Sequence, residues 1–305
     1  MEQRHMHLLP AGGRIAIVAP SGAIAPELLH NGVGIIRAAG YQVEIMPHVE
    51  GFATSVFAAP DNLRATDLEE AILRDDIDAI ICARGGYGAV RTLQCMHAEV
   101  LDQCNKWIVG FSDITAIHSA LSRRATASLH GPMLKFIATH GMHNADVSAT
   151  FRAMQTGECT TQIPTVAPSR TGRAEGIVVG GNLSLLCSLR STPAEFIPDG
   201  ALLFIEDLSE YLYHIDRMMQ NLRYSGVLQR IGGLIVGDFT ELKDGRTPFG
   251  MNVNEIIAAA VSDYNYPVMF GYRAGHSDDR NIPLIFGRQA TLEVTEAASA
   301  LAWRA

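Results

Sequence analysis

Four times in its first 130 residues the chain runs a short strand-like stretch, apolar in three cases and alternating in the second, towards a segment of helical spacing. The stretches are Arg14-Ile15-Ala16-Ile17-Val18, Gln42-Val43-Glu44-Ile45, Ile77-Asp78-Ala79-Ile80-Ile81-Cys82 and Trp107-Ile108-Val109-Gly110. Helical patterns cover residues 27–39 and 63–73, another follows residues 84–88, and a fourth runs to about residue 121. A short strand is expected near 128–130. Strands that are apolar along their whole length are buried on both faces, and strands alternating with helices join by crossovers. The pattern therefore predicts a parallel sheet covered by helices, an architecture that gathers its chemistry at the carboxyl ends of the strands.

The pattern changes in the second half. Residues 146–155 read as helix, and the stretch 159–172 is rich in Thr, Pro and Ser with few large apolar residues, which marks a linker. Strands are expected at 174–179, 201–205, 234–237, 268–271 and 282–286, with helices at 215–222 and 253–261 and an alternating segment at 290–296. A chain of 305 residues is long enough for two domains. The expected division is residues 1–158, a linker at 159–172, and a smaller, β-rich, mixed α/β domain at 173–305.

Composition excludes some classes. A formal charge of −8 lacks the basic excess of a nucleic-acid-binding surface. No apolar run is long enough to span a bilayer, and residues 1–10 carry charge and histidine without a leader-like apolar core. Five cysteines without a Cys-x-x-Cys pair read as reduced thiols of a cytoplasmic protein.

Four strand ends carry candidate chemistry. Gly110-Phe111-Ser112-Asp113 places Ser112 at a tight turn between strand and helix, where a hydroxyl stands above the sheet beside the N–H groups of the next helix. That suits a nucleophile, although Ser before Asp is also a common helix cap, and Ile114 stands where a Gly-x-Ser-x-Gly elbow has its second glycine. Arg84-Gly85-Gly86-Tyr87-Gly88 can cradle phosphate or donate to an oxyanion, but it lacks both Gly-x-Gly-x-x-Gly spacing and a P-loop Lys. Glu206-Asp207 and Gly275-His276 complete a Ser…Glu…His order. Among eleven histidines, His118, His130 and His214 have ordinary core or capping explanations, and His276 is the one least explained by packing. A metal site from Glu206, Asp207, Asp238, His276, Asp278 and Asp279 matches no ligand spacing.

Taken together and in order, Ala19-Pro20-Ser21-Gly22, Ala83-Arg84-Gly85-Gly86-Tyr87-Gly88, Gly110-Phe111-Ser112-Asp113-Ile114-Thr115-Ala116, His130-Gly131-Pro132-Met133, Gly180-Gly181-Asn182-Leu183, Ile205-Glu206-Asp207 and Gly275-His276 resemble the LD-carboxypeptidase family of serine peptidases. The resemblance implies a flavodoxin-like amino-terminal domain joined to the smaller carboxy-terminal one, with a catalytic triad divided between them. It implies Ser112 as nucleophile, Glu206 as triad carboxylate and His276 as general base. The backbone N–H groups of Gly86 and Asp113 are implied as the oxyanion site, with Arg84, Gly85 and Asn182 among the substrate-binding positions. The activity it implies is cytoplasmic removal of the terminal D-alanine from murein tetrapeptides, at an L,D bond to diaminopimelate, by a homodimer without metal or cofactor. Two other readings stay open: a microcin-immunity-type peptidase with the same triad, and a non-catalytic muropeptide or nucleotide sensor built on residues 84–88.

Overall fold

The computed structural model describes residues 4–50 and 56–303; the first three residues of the stretch 1–10 and the last two of the expected second domain lie outside the described residues. In chain order the elements are β1 (Arg14–Val18), α1 (Pro26–Ala38), β2 (Gln42–Ile45), α2 (Asp61–Leu73), β3 (Ala79–Cys82), α3 (Ala89–Cys95), α4 (Ala98–Gln103), β4 (Trp107–Gly110), α5 (Thr115–Ser122), β5 (Ser128–His130), α6 (Leu134–His140) and α7 (Ala145–Thr156). There follow β6 (Thr160–Pro164), β7 (Gly172–Asn182), α8 (Leu183–Ser188), β8 (Leu202–Leu208), α9 (Leu212–Tyr224), α10 (Val227–Arg230), β9 (Gly233–Thr240), α11 (Val253–Ala260), β10 (Val268–Met269), β11 (Leu284–Phe286), β12 (Gln289–Val294) and β13 (Ala298–Trp303).

The chain divides into two compact units, the first running to Cys159 and taking in Ile282–Gly287, the second holding Thr160–Asn281 and the chain from Arg288. The first unit's sheet has the order β11-β5-β4-β3-β1-β2. Strands β1 to β5 are parallel, and β11 lies antiparallel to β5. The order 2-1-3-4-5 is flavodoxin-like, and its direction reverses between β1 and β3. Every residue of β3 and β4 is buried. Each fully buried Ile or Val there contributes about 1.5–3 kcal/mol relative to exposure, which is why these runs carry no polar alternation.

The second unit's sheet has the order β10-β9-β8-β7-β12-β13-β6, with β7 to β10 parallel and β12, β13 and β6 antiparallel. Leu183, Ile215, Met219, Leu222 and Ile257 from the helices pack on Leu203, Ile205, Leu234 and Val236 of the strands. In β13 buried residues alternate with partly exposed ones, the mark of a strand with one covered face.

Two boundaries differ from expectation. The linker expected at 159–172 contains β6, which pairs along its length with β13. Its Thr and Pro content reads as loop, but an edge strand whose residues are all at least partly exposed needs little apolar surface and tolerates Pro164 at its end. The strand expected at 282–286 in the second domain belongs to the first unit, with Leu284 opposite His130 and Phe286 opposite Ser128. That pairing joins residues more than 150 positions apart, which no local pattern encodes. No helix among the described residues is long and apolar enough to cross a membrane.

Candidate active site

In the first unit the carboxyl ends of β1, β3 and β4 adjoin. After β4 the backbone is fully extended at Phe111 (φ −155°) and turns left-handed at Ser112 (φ 64°), which opens a single 3-10 turn leading into α5. A non-glycine residue there is uncommon and strained by about 1 kcal/mol or more. The capping explanation of Ser112 is not what the structure shows, since no side chain caps this turn.

The neighbouring residue does a different job. Asp113 is buried, and its Oδ2 accepts from the Ser21 hydroxyl at 2.6 Å and from the Ala89 N–H at 2.7 Å. One carboxylate thus ties the β4 turn to the end of β1 and the start of α3. Burial raises its pKa, against the pull of these hydrogen bonds. Below the turn, His118 has Nε2 2.9 Å from the Gly110 carbonyl and Nδ1 2.8 Å from the Ser128 hydroxyl. The carbonyl only accepts, so Nε2 carries the hydrogen and Nδ1 accepts. Complete burial pushes the His118 pKa down to about 4, so it is a neutral strut. His130 is buried with its ring 5.9 Å from Phe111 and 5.5 Å from Phe286, and His214 is held by Glu210 at 2.9 Å.

The glycine loop after β3 packs on Ser112. A Cβ at Gly85 would stand 2.8 Å from Ser112 Cβ and 3.0 Å from its Oγ, so only glycine permits this approach. Gly85's carbonyl accepts from the Gly22 N–H at 3.1 Å, joining the loop to the end of β1. Arg64, fully buried on α2, donates to the carbonyls of Ala59, Gly88 and Pro20 and so clamps the same two loops. Sequence reasoning passed over Arg64. Its signal was its place on the buried helix face with Leu68, Ala71 and Ile72, where a solvated arginine has no reason to be.

In the second unit the parallel strands bring Asn182, Glu206, Asp207 and Asp238 together at the carboxyl ends of β7, β8 and β9. The register between β8 and β9 shifts between Ile205 and Asp207, so that Gly237 and Asp238 of β9 together lie opposite Glu206, a bulge in β9 beside the buried carboxylate. Glu206 is fully buried; its Oε2 lies 2.7 Å from Nδ1 of His276, and its Oε1 is buried without a hydrogen-bond partner among the described residues. A carboxylate accepts, so Nδ1 carries the hydrogen and the lone pair falls on Nε2. Burial works against charge on His276, but attraction to Glu206, its hydrogen bond, and the fields of Asp207 and Glu241 outweigh it and raise the pKa.

Asp207 faces elsewhere. It accepts from Asn182 Nδ2 at 2.8 Å and from the N–H groups of Ser184 and Leu208, both at 2.9 Å. Burial, with Glu206 beside it, pushes its pKa to about 6. Asn182 in turn caps α8 through its Oδ1, so its side chain is built into the junction of β7 and α8. Asp238 accepts from the Ser277 hydroxyl and faces Arg273, which also meets Asp279 at 3.3 Å. The acidic residues weighed as a metal set thus serve separate partners, and among the described residues no three His, Cys, Asp or Glu side chains group as metal ligands.

A serine at a strained strand end and a buried Glu–His pair are the side-chain types of a serine hydrolase. Residues 15–131 match the LD-carboxypeptidase N-terminal domain, and residues 175–292 match the LD-carboxypeptidase C-terminal domain. A Streptomyces coelicolor protein described as a carboxypeptidase is 34% identical over 93% of this chain and 92% of its own. The murein tetrapeptide carboxypeptidase of Pseudomonas aeruginosa is 28% identical over 93% of this chain and 94% of its own. The solved muramoyltetrapeptide carboxypeptidase of Oxalobacter formigenes superposes with a TM-score of 0.86 at 29% identity, covering 96% of this chain and 99% of its own. The chain belongs to the LD-carboxypeptidase family and is a serine-type carboxypeptidase.

Proposed function

We propose that the protein releases the terminal D-alanine of murein tetrapeptides at the L,D bond to diaminopimelate. Ser112 is the nucleophile, His276 the general base and Glu206 the carboxylate that orients it. The observation carrying this reading is the buried 2.7 Å hydrogen bond from His276 Nδ1 to Glu206, which leaves the Nε2 lone pair to take a proton.

The step is acyl transfer. His276 accepts the Ser112 hydroxyl proton as Oγ attacks the carbonyl of the scissile bond. The N–H groups of Gly86 and Asp113 donate to the developing oxyanion, each worth on the order of 10²–10³ in rate. His276 then gives the proton to the alanine nitrogen as the C–N bond breaks, and water, activated by the same base, releases the acyl group from Ser112. Gly85 admits the close approach of loop and serine, and Asn182 fixes Asp207 beside Glu206. The family resemblance extends this reading to a cytoplasmic homodimer, which light scattering and cell fractionation test.

Mass spectrometry of a diaminopimelate tetrapeptide after incubation is the direct test. Loss of one alanine is expected with the wild type. Ser112→Ala should slow it by at least about 10⁴-fold while leaving the fold intact. An unchanged peptide, or full activity in Ser112→Ala, overturns the proposal.

A further inference from the structure

Beside the glycine loop lies a cavity of about 560 Å³ whose walls include Ala23, Ile24, Ala25, Pro26, Arg84 and Gly86. We infer that this cavity receives the carboxy-terminal residue that is released, with the Arg84 guanidinium holding its free carboxylate. The inference rests on the peptidase reading above and names the subsite for its leaving group.

Position is the first argument. Gly86 lines the cavity, and its neighbour Gly85 packs directly on Ser112, so the cavity begins within a residue of the nucleophile. A leaving residue sits immediately beyond the carbonyl under attack, and this is the hollow adjoining that point within the first unit.

Charge is the second. Arg84 is half-buried, and among the described residues its side chain donates one hydrogen bond, from Nη1 to the Ala23 carbonyl at 3.2 Å. In the same unit Arg14, Arg64, Arg74 and Arg91 each face a carboxylate, whereas none among the described residues lies within ion-pair reach of Arg84. A guanidinium partly withdrawn from water and lacking an anion is matched by a ligand that brings one, and a free carboxylate fits its fork in two parallel bonds. The free terminal carboxylate is also the group that separates an exopeptidase's substrate from an internal peptide bond. Ala25 and Pro26 form the uncapped start of α1, whose N–H groups add positive potential to that wall. The alanine side chains of the wall carry only methyl groups, leaving room for a small residue.

The test compares alanine release from a tetrapeptide with a free carboxy terminus and from the same peptide ending in a carboxamide. Wild type should favour the free acid by on the order of 10²-fold in kcat/KM. Arg84→Met should bring that ratio close to one, chiefly through KM, and Arg84→Lys should restore part of it. An active Arg84→Met enzyme with the wild-type ratio overturns the pocket assignment alone. A wild type that releases alanine from neither peptide overturns the peptidase reading itself. Ala25→Phe is a second variant, at an exposed wall position, that fills the cavity without touching Arg84. It should cut release from the free acid at least about tenfold, judged by the cost of a misplaced substrate; unchanged release with the protein folded overturns the assignment.

Discussion

Gly275 and Glu206 meet so closely that a Cβ at position 275 would stand 2.7 Å from the Glu206 Oε2 atom and 3.0 Å from its Cβ. Gly275 also has φ +126°, a conformation that L side chains rarely adopt. His276 follows it directly and donates to that same Oε2. Gly275→Ala should therefore cost about 1–3 kcal/mol in stability through backbone strain and push Glu206 off the imidazole. Alanine release should fall on the order of 10²-fold, the cost of roughly 1 Å of misplacement. Thermal unfolding and a tetrapeptide assay check the two effects separately, and unimpaired release would sink the argument from close approach.

Glu206→Gln tests the charge rather than the contact. His276 acts as a base only when neutral, and its pKa is held above the ordinary imidazole value of 6.5 because attraction to Glu206 and their hydrogen bond outweigh burial. The acid limb of kcat/KM in the wild type should accordingly lie above pH 6.5. Removing the negative charge takes away the largest opposition to burial and leaves only the weaker fields of Asp207 and Glu241, so the limb should move to lower pH in Glu206→Gln while the plateau falls by on the order of 10²–10⁴-fold. A limb that stays in place would show that another group controls it.

Much of this arrangement is legible in the chain, and the remainder has a common physical reason. β2 and β5 run over the residues their local patterns mark, β2 because Val43 and Ile45 alternate with the polar Gln42 and Glu44 as an edge strand allows, and β5 as a short stretch that is buried throughout. The site residues sit at strand ends, where the topology of a parallel sheet requires them. What escapes local reading is set by distant partners. β6 is a strand only because β13 pairs with it, and β11 joins the first sheet only through β5. The bond from Ser21 to Asp113 spans 92 positions, and Arg64 reaches carbonyls on two separate loops. The short helix α6, directly after Gly131-Pro132-Met133, also goes unmarked, for Pro is a turn signal as readily as a helix start.

His118 should make the first unit sensitive to acid. It is neutral in the fold with a pKa near 4, against 6.5 for an exposed imidazole, so the unfolded chain takes up a proton first. Its contribution is complete above pH 6.5 and is lost as pH falls from 6.5 through 4, a difference of about 3 kcal/mol at most. His118→Gln keeps an N–H for the Gly110 carbonyl but does not titrate. Urea unfolding followed through the buried Trp107 should show the wild type losing stability relative to His118→Gln across that window. Parallel stability curves for the two proteins would remove His118 as the cause.

Ser112 is held at φ 64°, where glycine is at ease and alanine is not. Ser112→Gly and Ser112→Ala both lose the hydroxyl, so both should abolish alanine release to the same extent. They should differ in stability. The glycine variant relieves the left-handed strain and should be the more stable by about 1 kcal/mol, a rise of roughly 2–4 °C in unfolding temperature for a unit of this size. The wild type should lie below Ser112→Gly as well, because its serine carries the same backbone strain as the alanine variant. Calorimetry of the three proteins at one pH decides it. Equal unfolding temperatures for Ser112→Gly and Ser112→Ala would mean the turn stores no strain at Ser112. A higher value for glycine alone would show that the chain gives up stability to hold a hydroxyl above the end of β4.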